Sequence, residues 1–118
     1  MRLKAIFDQN LEMTSTRGLL TLLKRYQLRL KFKVKTLSKG MLQKVGLILS
    51  LLGEYDIYLF DEPFEGLDDL TCKLFLEDLE ALKDKLVIIA YHKRSTLVDS
   101  KYKSLIIEDG QVILNESV

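Results

Sequence analysis

From Thr36 onward, apolar runs alternate with segments of helical period, and small polar residues separate them. Ser38 is a candidate N-cap, because its hydroxyl can accept from a backbone N–H of the first helical turn. Met41 to Leu52 is apolar on most sides, which predicts a buried helix, and Gly53 is its stop signal. Ile57-Tyr58-Leu59-Phe60 is a short apolar run cut off by Asp61-Glu62-Pro63. A run without alternation predicts a strand buried on both faces, as in a parallel sheet. Asp68 or Asp69 opens a helix predicted to reach Lys83, with Cys72, Phe75, Leu79 and Leu82 as its inner stripe. Leu86 to Ala90 is a second buried strand, and Tyr91-His92 follows it directly. A short helix fits Ser95 to Ser100. Ser104 to Ile107 and Val112 to Leu114 flank Asp109-Gly110, a strong short-range hairpin signal.

Residues before Thr36 carry weaker patterns. Ser15 and Thr16 can cap a helix from Arg17 to Tyr26, with Leu19, Leu20, Leu22 and Leu23 as its apolar side. Arg29 to Lys35 alternates cations with apolar residues, which fits a short strand or an extended connector. As a nucleic-acid patch it is the weaker reading, since a net charge of +1 supplies no overall attraction to phosphate. Nucleic acid is therefore not an expected partner. Strands alternating with helices predict an α/β domain with a mostly parallel sheet. Ligands of such sheets sit at the carboxyl ends of the strands. Asp61, Glu62 and His92 fall there.

Composition narrows the setting. A chain of 118 residues makes one domain, and 47% apolar residues fill a modest core. The single cysteine, Cys72, excludes an internal disulfide and fits a reducing compartment. Met1 to Asn10 holds no sustained apolar segment of a secretory signal. The most apolar stretch, Val45 to Leu52, is far shorter than the ~20 residues that cross a bilayer. A soluble chain is expected, with any membrane role coming through a partner.

Two adjacent carboxylates after an apolar strand are costly unless solvated, paired or near a metal. They cannot both point the same way from an extended backbone. One can face a Mg²⁺ shell while the other faces a water, which is what phosphoryl transfer to water needs. Acidic residues also end many strands with no such role, but Pro63 adds a fixed exit path. Leu37-Ser38-Lys39-Gly40-Met41 sets a hydroxyl and a glycine at a helix N-terminus, which suits either a phosphate or an ordinary cap. His92, the only histidine, is either structural or a donor to a phosphate oxygen.

Taken in order, these segments resemble the ATP-binding cassette ATPases. Leu37 to Met41 looks like their signature motif, and Ile57 to Asp61 with Glu62 looks like their Walker B strand and catalytic glutamate. Glu65-Gly66-Leu67-Asp68 is similar to their D-loop, and Tyr91-His92 to their switch histidine. The likeness covers residues 36–115. It departs at Lys39, where the signature usually has Gly, and at Met41, where it usually has Gln. A Ser-x-Gly-Met signature resembles exporter ATPases. No Gly-x-x-x-x-Gly-Lys-Ser/Thr phosphate-binding loop occurs in the sequence.

The resemblance implies an incomplete P-loop NTPase fold, α/β with a mostly parallel sheet, flanking helices and a C-terminal hairpin. Residues 1–36 would be a remnant of the helical subdomain or a connector, and 37–118 the C-terminal part of the ATPase core. In the family two ATPase domains pair head to tail. Ser38, Lys39, Gly40 and Met41 would then meet the γ-phosphate of ATP held by a second domain, in a homo- or heterodimer. Asp61 would hold Mg²⁺, Glu62 would act as general base, His92 would sense the γ-phosphate and Asp68 would bridge the domains. The implied setting is the cytoplasmic face of a membrane, beside a membrane-spanning permease. Alternatives are a non-transport cassette ATPase half or a catalytically inactive binding module. In the family the P-loop strand lies between those matching 86–90 and 104–107. Without it, the two strands either pair directly, stay partly disordered, or seek a second chain. A homo-oligomer is the favoured expectation.

Overall fold

A computed structural model of the chain describes residues 1–10, 16–92 and 104–115. In chain order the elements are α1 (Leu3–Asn10), α2 (Thr16–Arg25), a single 3₁₀ turn (Val34–Thr36), α3 (Lys39–Leu52), β1 (Ile57–Asp61), α4 (Asp69–Glu80), β2 (Leu86–Ala90), β3 (Ser104–Glu108) and β4 (Gln111–Asn115). The predicted Ser15 cap and the helix at Ser95 to Ser100 lie outside the described residues.

Helix α3 forms the centre of the packing. Val45, Ile48 and Leu52 face Leu3, Phe7, Leu19, Leu23, Tyr26 and Leu28, so α1, α2 and the following connector share one core with it. Leu47 faces the opposite way, into a second core with Phe64, Cys72, Phe75 and Leu79. A helix that is apolar on most sides is thus used on two of them. Leu20 departs from the predicted stripe of α2: it is 52% exposed, while Leu19 and Leu23 are buried. Gly53 ends α3 with φ −75, not with a left-handed cap. Its role is spatial: a Cβ there would run into the ring of Tyr55.

The basic stretch is a connector. Its backbone runs antiparallel past the chain start through one bridge, Arg2 with Lys33, and through Leu3 N to Phe32 O at 2.9 Å. Leu30, Phe32 and Val34 lean on the first core, and the cations between them are exposed. Arg25 and Tyr26 fasten this region to α4. The Arg25 Nε donates to Asp78 at 3.0 Å and the Tyr26 hydroxyl donates to the same carboxylate at 2.6 Å. Burial first, then the Asp78 contact, pushes the Tyr26 phenol above its usual range.

β1 and β2 pair in parallel, Ile57 opposite Leu86 through Asp61 opposite Ala90. The β3–β4 hairpin forms a separate antiparallel sheet. Its two-residue turn has Asp109 at φ 48 and Gly110 at φ 75, the positive pair that a primed turn requires. Helix α4 is capped by Asp68 and buries Thr71, Cys72, Phe75 and Leu79. It ends at Glu80, so Leu82 of the predicted stripe lies past the helix, half-buried against the same core.

One expectation is corrected. Neither strand is buried on both faces. Tyr58, Phe60, Val87 and Ile89 point inward, but Ile57, Leu59, Leu86 and Ile88 are 50–73% exposed on the other face. The runs are apolar on both sides because their composition suits a sheet covered twice. Among the described residues α4 covers only one side.

Phe75 is fully buried, with Phe60 at 5.1 Å and Phe64 at 6.1 Å in edge-to-face contact. Phe75→Ala should cost about 3–5 kcal/mol in denaturant unfolding. Leu59→Gln, on the open face, should change stability by less than about 0.5 kcal/mol. A large loss from the second substitution would mean that this face is covered in solution.

Candidate functional site

The carboxyl end of β1 is where the candidate chemistry gathers. The Glu62 N–H donates to Ala90 O at 2.7 Å, so the parallel ladder continues one residue beyond the strand. Glu62 then takes φ 52, a left-handed conformation uncommon for a residue with a side chain. This breaks the extended path and separates the two carboxylates. The Asp61 side chain lies in solvent, while that of Glu62 is two-thirds covered. Pro63 is fully buried and Phe64 follows it into the core.

β2 delivers His92 to the same place. Ala90 is opposite Asp61, so the residues after β2 run past the turn after β1. Tyr91 packs edge-to-face on Phe64, centroids 5.7 Å apart. His92 Nε2 then lies 3.2 Å from Glu62 Oε1. Glu62 and His92 thus meet, while Asp61 ends the same strand with its side chain in solvent.

Gln43 joins them and was missed. Its side-chain amide donates to Glu62 O at 3.2 Å and to Pro63 O at 3.0 Å. The available signal was a polar residue inside a helix apolar on most sides, close after the Ser38 cap. An open groove of about 200 Å³ runs past Gln43, Leu59 and Asp61. It is smaller than the ≈ 300–1,000 Å³ of pockets that enclose a ligand, so a large ligand here would need a second surface.

A second group forms at the start of α3. The Ser38 hydroxyl accepts from Met41 N at 3.1 Å and caps the helix. Met41 is thereby held by its backbone, and its side chain leans on the first core. A Cβ on Gly40 would sit 2.5 Å from Gly66 O, so only glycine permits this approach. Gly66 itself has φ 77. Lys39 is exposed at the surface, and its Nζ pairs there with Glu65 at 2.7 Å. The turn from Glu62 to Asp68 therefore touches both groups. Asp68 caps α4 by accepting from Thr71 N at 2.8 Å. Hydrogen bonds from the Thr71 side chain and then its backbone hold the Asp68 carboxyl below its usual range.

Among the described residues no three His, Cys, Asp or Glu side chains cluster as a metal cage. Mg²⁺ does not need one, because it keeps several waters and takes one or two carboxylates. The exposed Asp61 suits that mode. Nor, among the described residues, is any helix long and apolar enough to cross a membrane.

Known proteins resemble this chain over most of its length. An uncharacterised ABC transporter ATP-binding protein of Methanocaldococcus jannaschii is 35% identical over 83 residues, covering 69% of this chain and 32% of that protein. The uncharacterised ABC transporter ATP-binding protein YthP of Bacillus subtilis is 37% identical over 81 residues, covering 67% and 34%. A solved ATP-binding subunit of an ABC transporter superposes with a TM-score of 0.81 at 26% identity, over 98% of this chain and 53% of that one. No protein-family model matches. The chain spans about a third of the length of these two curated relatives. It is a homologue of ABC transporter ATP-binding proteins and has part of the ABC ATPase fold, the α/β fold of P-loop NTPases.

Two substitutions test the second group. Gly40→Ala should lower the melting temperature and shift the NMR signals of Gly66, because the new methyl displaces the Gly66 carbonyl. Asp68→Ala removes a cap whose folded pKa is depressed. Its stabilisation is complete above the unfolded pKa, about 3.9, and fades as pH falls through the lower folded value. The melting-temperature gap between wild type and Asp68→Ala should thus be present at pH 7 and shrink in strong acid. A gap that grew in acid would contradict the assignment.

Proposed function

We propose that this chain supplies the hydrolytic and signature half of a transporter ATPase, acting with a P-loop segment that binds the nucleotide. The observation that carries this reading is Glu62: a carboxylate held left-handed at the end of a parallel strand, 3.2 Å from His92, in a homologue of transporter ATPases.

Each residue has a physical task in this reading. Glu62 is the general base: it accepts a proton from the attacking water. His92 orients the Glu62 carboxylate and donates to a γ-phosphate oxygen. Asp61 would hold a Mg²⁺ through water, and the ion would supply charge neutralisation on the phosphates. Ser38 offers its hydroxyl proton, since the same oxygen already accepts from Met41 N. With the free N–H groups at the start of α3 it meets the γ-phosphate of ATP on a second ATPase domain. Gly40 keeps that approach open, and Asp68, exposed at the start of α4, would bridge to the second domain. Lys39 must leave Glu65 to reach the same anion. We assign residues 1–36 to a helical-subdomain remnant or connector, and 37–118 to the ATPase core. The cellular partners in this reading are a second ATPase domain and a membrane-spanning permease at the cytoplasmic face, in an exporter; the Ser-x-Gly-Met signature supports that direction.

The 118-residue chain alone should bind ATP weakly and release no phosphate. Combined with a P-loop segment from a relative, it should hydrolyse ATP. Glu62→Gln should then keep nucleotide bound while turnover falls by about 10²–10⁴-fold, the usual range for a general base. Nucleotide titration and phosphate release check both arms. Micromolar binding and Glu62-dependent turnover by the chain alone would overturn the division of labour.

The open β1–β2 face supports a further expectation for the isolated chain: self-association, with a dimer as the main species. Sedimentation over a range of concentrations checks it, and a compact monomer at every concentration would refute it.

A further inference from the structure

We propose that Gln43 is a positioning residue that holds Glu62 in its left-handed conformation and so aims its carboxylate at His92. The kinetic part of this inference rests on Glu62 being the general base; the conformational part does not.

Glu62 is bound from two directions. On the β2 side its N–H donates to Ala90 O at 2.7 Å. On the α3 side its carbonyl accepts from Gln43 at 3.2 Å, and the next carbonyl, that of Pro63, accepts from the same nitrogen at 3.0 Å. Pro63 has no N–H to offer in return, so the backbone here presents acceptors in succession. Local closure is weak: the Glu65 N–H reaches Glu62 O only at 3.3 Å. A primary amide answers this arrangement well, because it carries two N–H donors on one atom. The neighbouring carbonyls also decide which end of the amide faces them, since the Gln43 oxygen would be repelled there.

The φ of 52 gives the contact its consequence. A residue with a Cβ remains in the left-handed region only where its surroundings over-determine it. If the α3 side is released, Glu62 relaxes toward extended backbone. Its side chain then swings toward the opposite face of the strand, away from His92 Nε2. Gln43 touches no reacting group itself, and its influence passes through the backbone. Since α3 also begins at Ser38, the same helix sets both groups of candidate residues.

The test uses the isotope-labelled 118-residue chain and needs no nucleotide. In the wild type, the side-chain amide protons of Gln43 should exchange at least tenfold more slowly than those of exposed Gln27. Equal exchange would overturn the proposal without any variant. Gln43→Glu keeps size and replaces donors by acceptors; Gln43→Met keeps length without polarity. In both, backbone couplings should report loss of the positive φ at Glu62, and the cross-relaxation between Glu62 and His92 should vanish. Gln43→Lys, which restores a donor, should recover both signals. Retention of the positive φ and the His92 contact in Glu and Met variants would overturn the proposal. In a hydrolysing complex, Gln43→Met should lower kcat about 10- to 100-fold with KM for ATP within twofold, as expected for a misplaced group. If the conformational signals change as stated while no complex hydrolyses ATP, the positioning role stands and the general-base assignment of Glu62 falls.

Discussion

The edge-to-face packing of Phe60 and Phe64 on Phe75 governs where everything near the site can lie. Phe75 is the fully buried centre of α4, and its ring contacts hold the helix in this register on the sheet. That register sets the inward face of β1, and Phe60 is its last inward residue before the carboxylates. Phe64 then draws the chain back into the core after a turn of a few residues, which forces the reversal at Glu62. Tyr91 packs edge-to-face on Phe64 and brings His92 with it. Four aromatic rings thus convert hydrophobic burial into the placement of two polar side chains.

The punctuation of this fold was legible because its devices are local. Ser38 and Asp68 cap their helices through their own side chains, and Asp109-Gly110 takes the positive dihedrals expected of it. Element order and the meeting of Glu62 with His92 followed from strands that end at carboxylates or a histidine. What escaped the sequence depends on partners far along the chain. Gln43 is a plain polar residue until two carbonyls from another element face it. Lys39 meets Glu65, 26 positions away. Between the two readings left open for Arg29 to Lys35, strand or connector, the choice was made by backbone bonds to the distant chain start. The strand runs misled in a different way. Composition records how many faces a strand is suited to bury, whereas exposure records how many faces have neighbours.

Glycine had distinct uses that sequence alone could not separate. Gly40 and Gly66 permit backbones to touch, Gly110 supplies a dihedral, and Gly53 only leaves room for an aromatic ring. The contact between Gly40 and Gly66 ties the start of α3 to the turn that leads into α4. With Gln43 on the next turn of α3, one helix grips that segment at two points. The Arg25, Tyr26 and Asp78 cluster grips α4 from the other end. Both cores are therefore linked through polar contacts as well as through α3.

The bare aliphatic face of Ile57, Leu59, Leu86 and Ile88 also sets a kinetic contest. A covering segment tethered to the same chain would act at an effective concentration in the millimolar range for a short flexible tether, whatever the dilution. A separate molecule meets the face only by collision, at a rate proportional to its own abundance. The first process is unimolecular and the second bimolecular. How crowded the chain is as it emerges therefore selects between an orderly cover and the indiscriminate sticking of one copy to another.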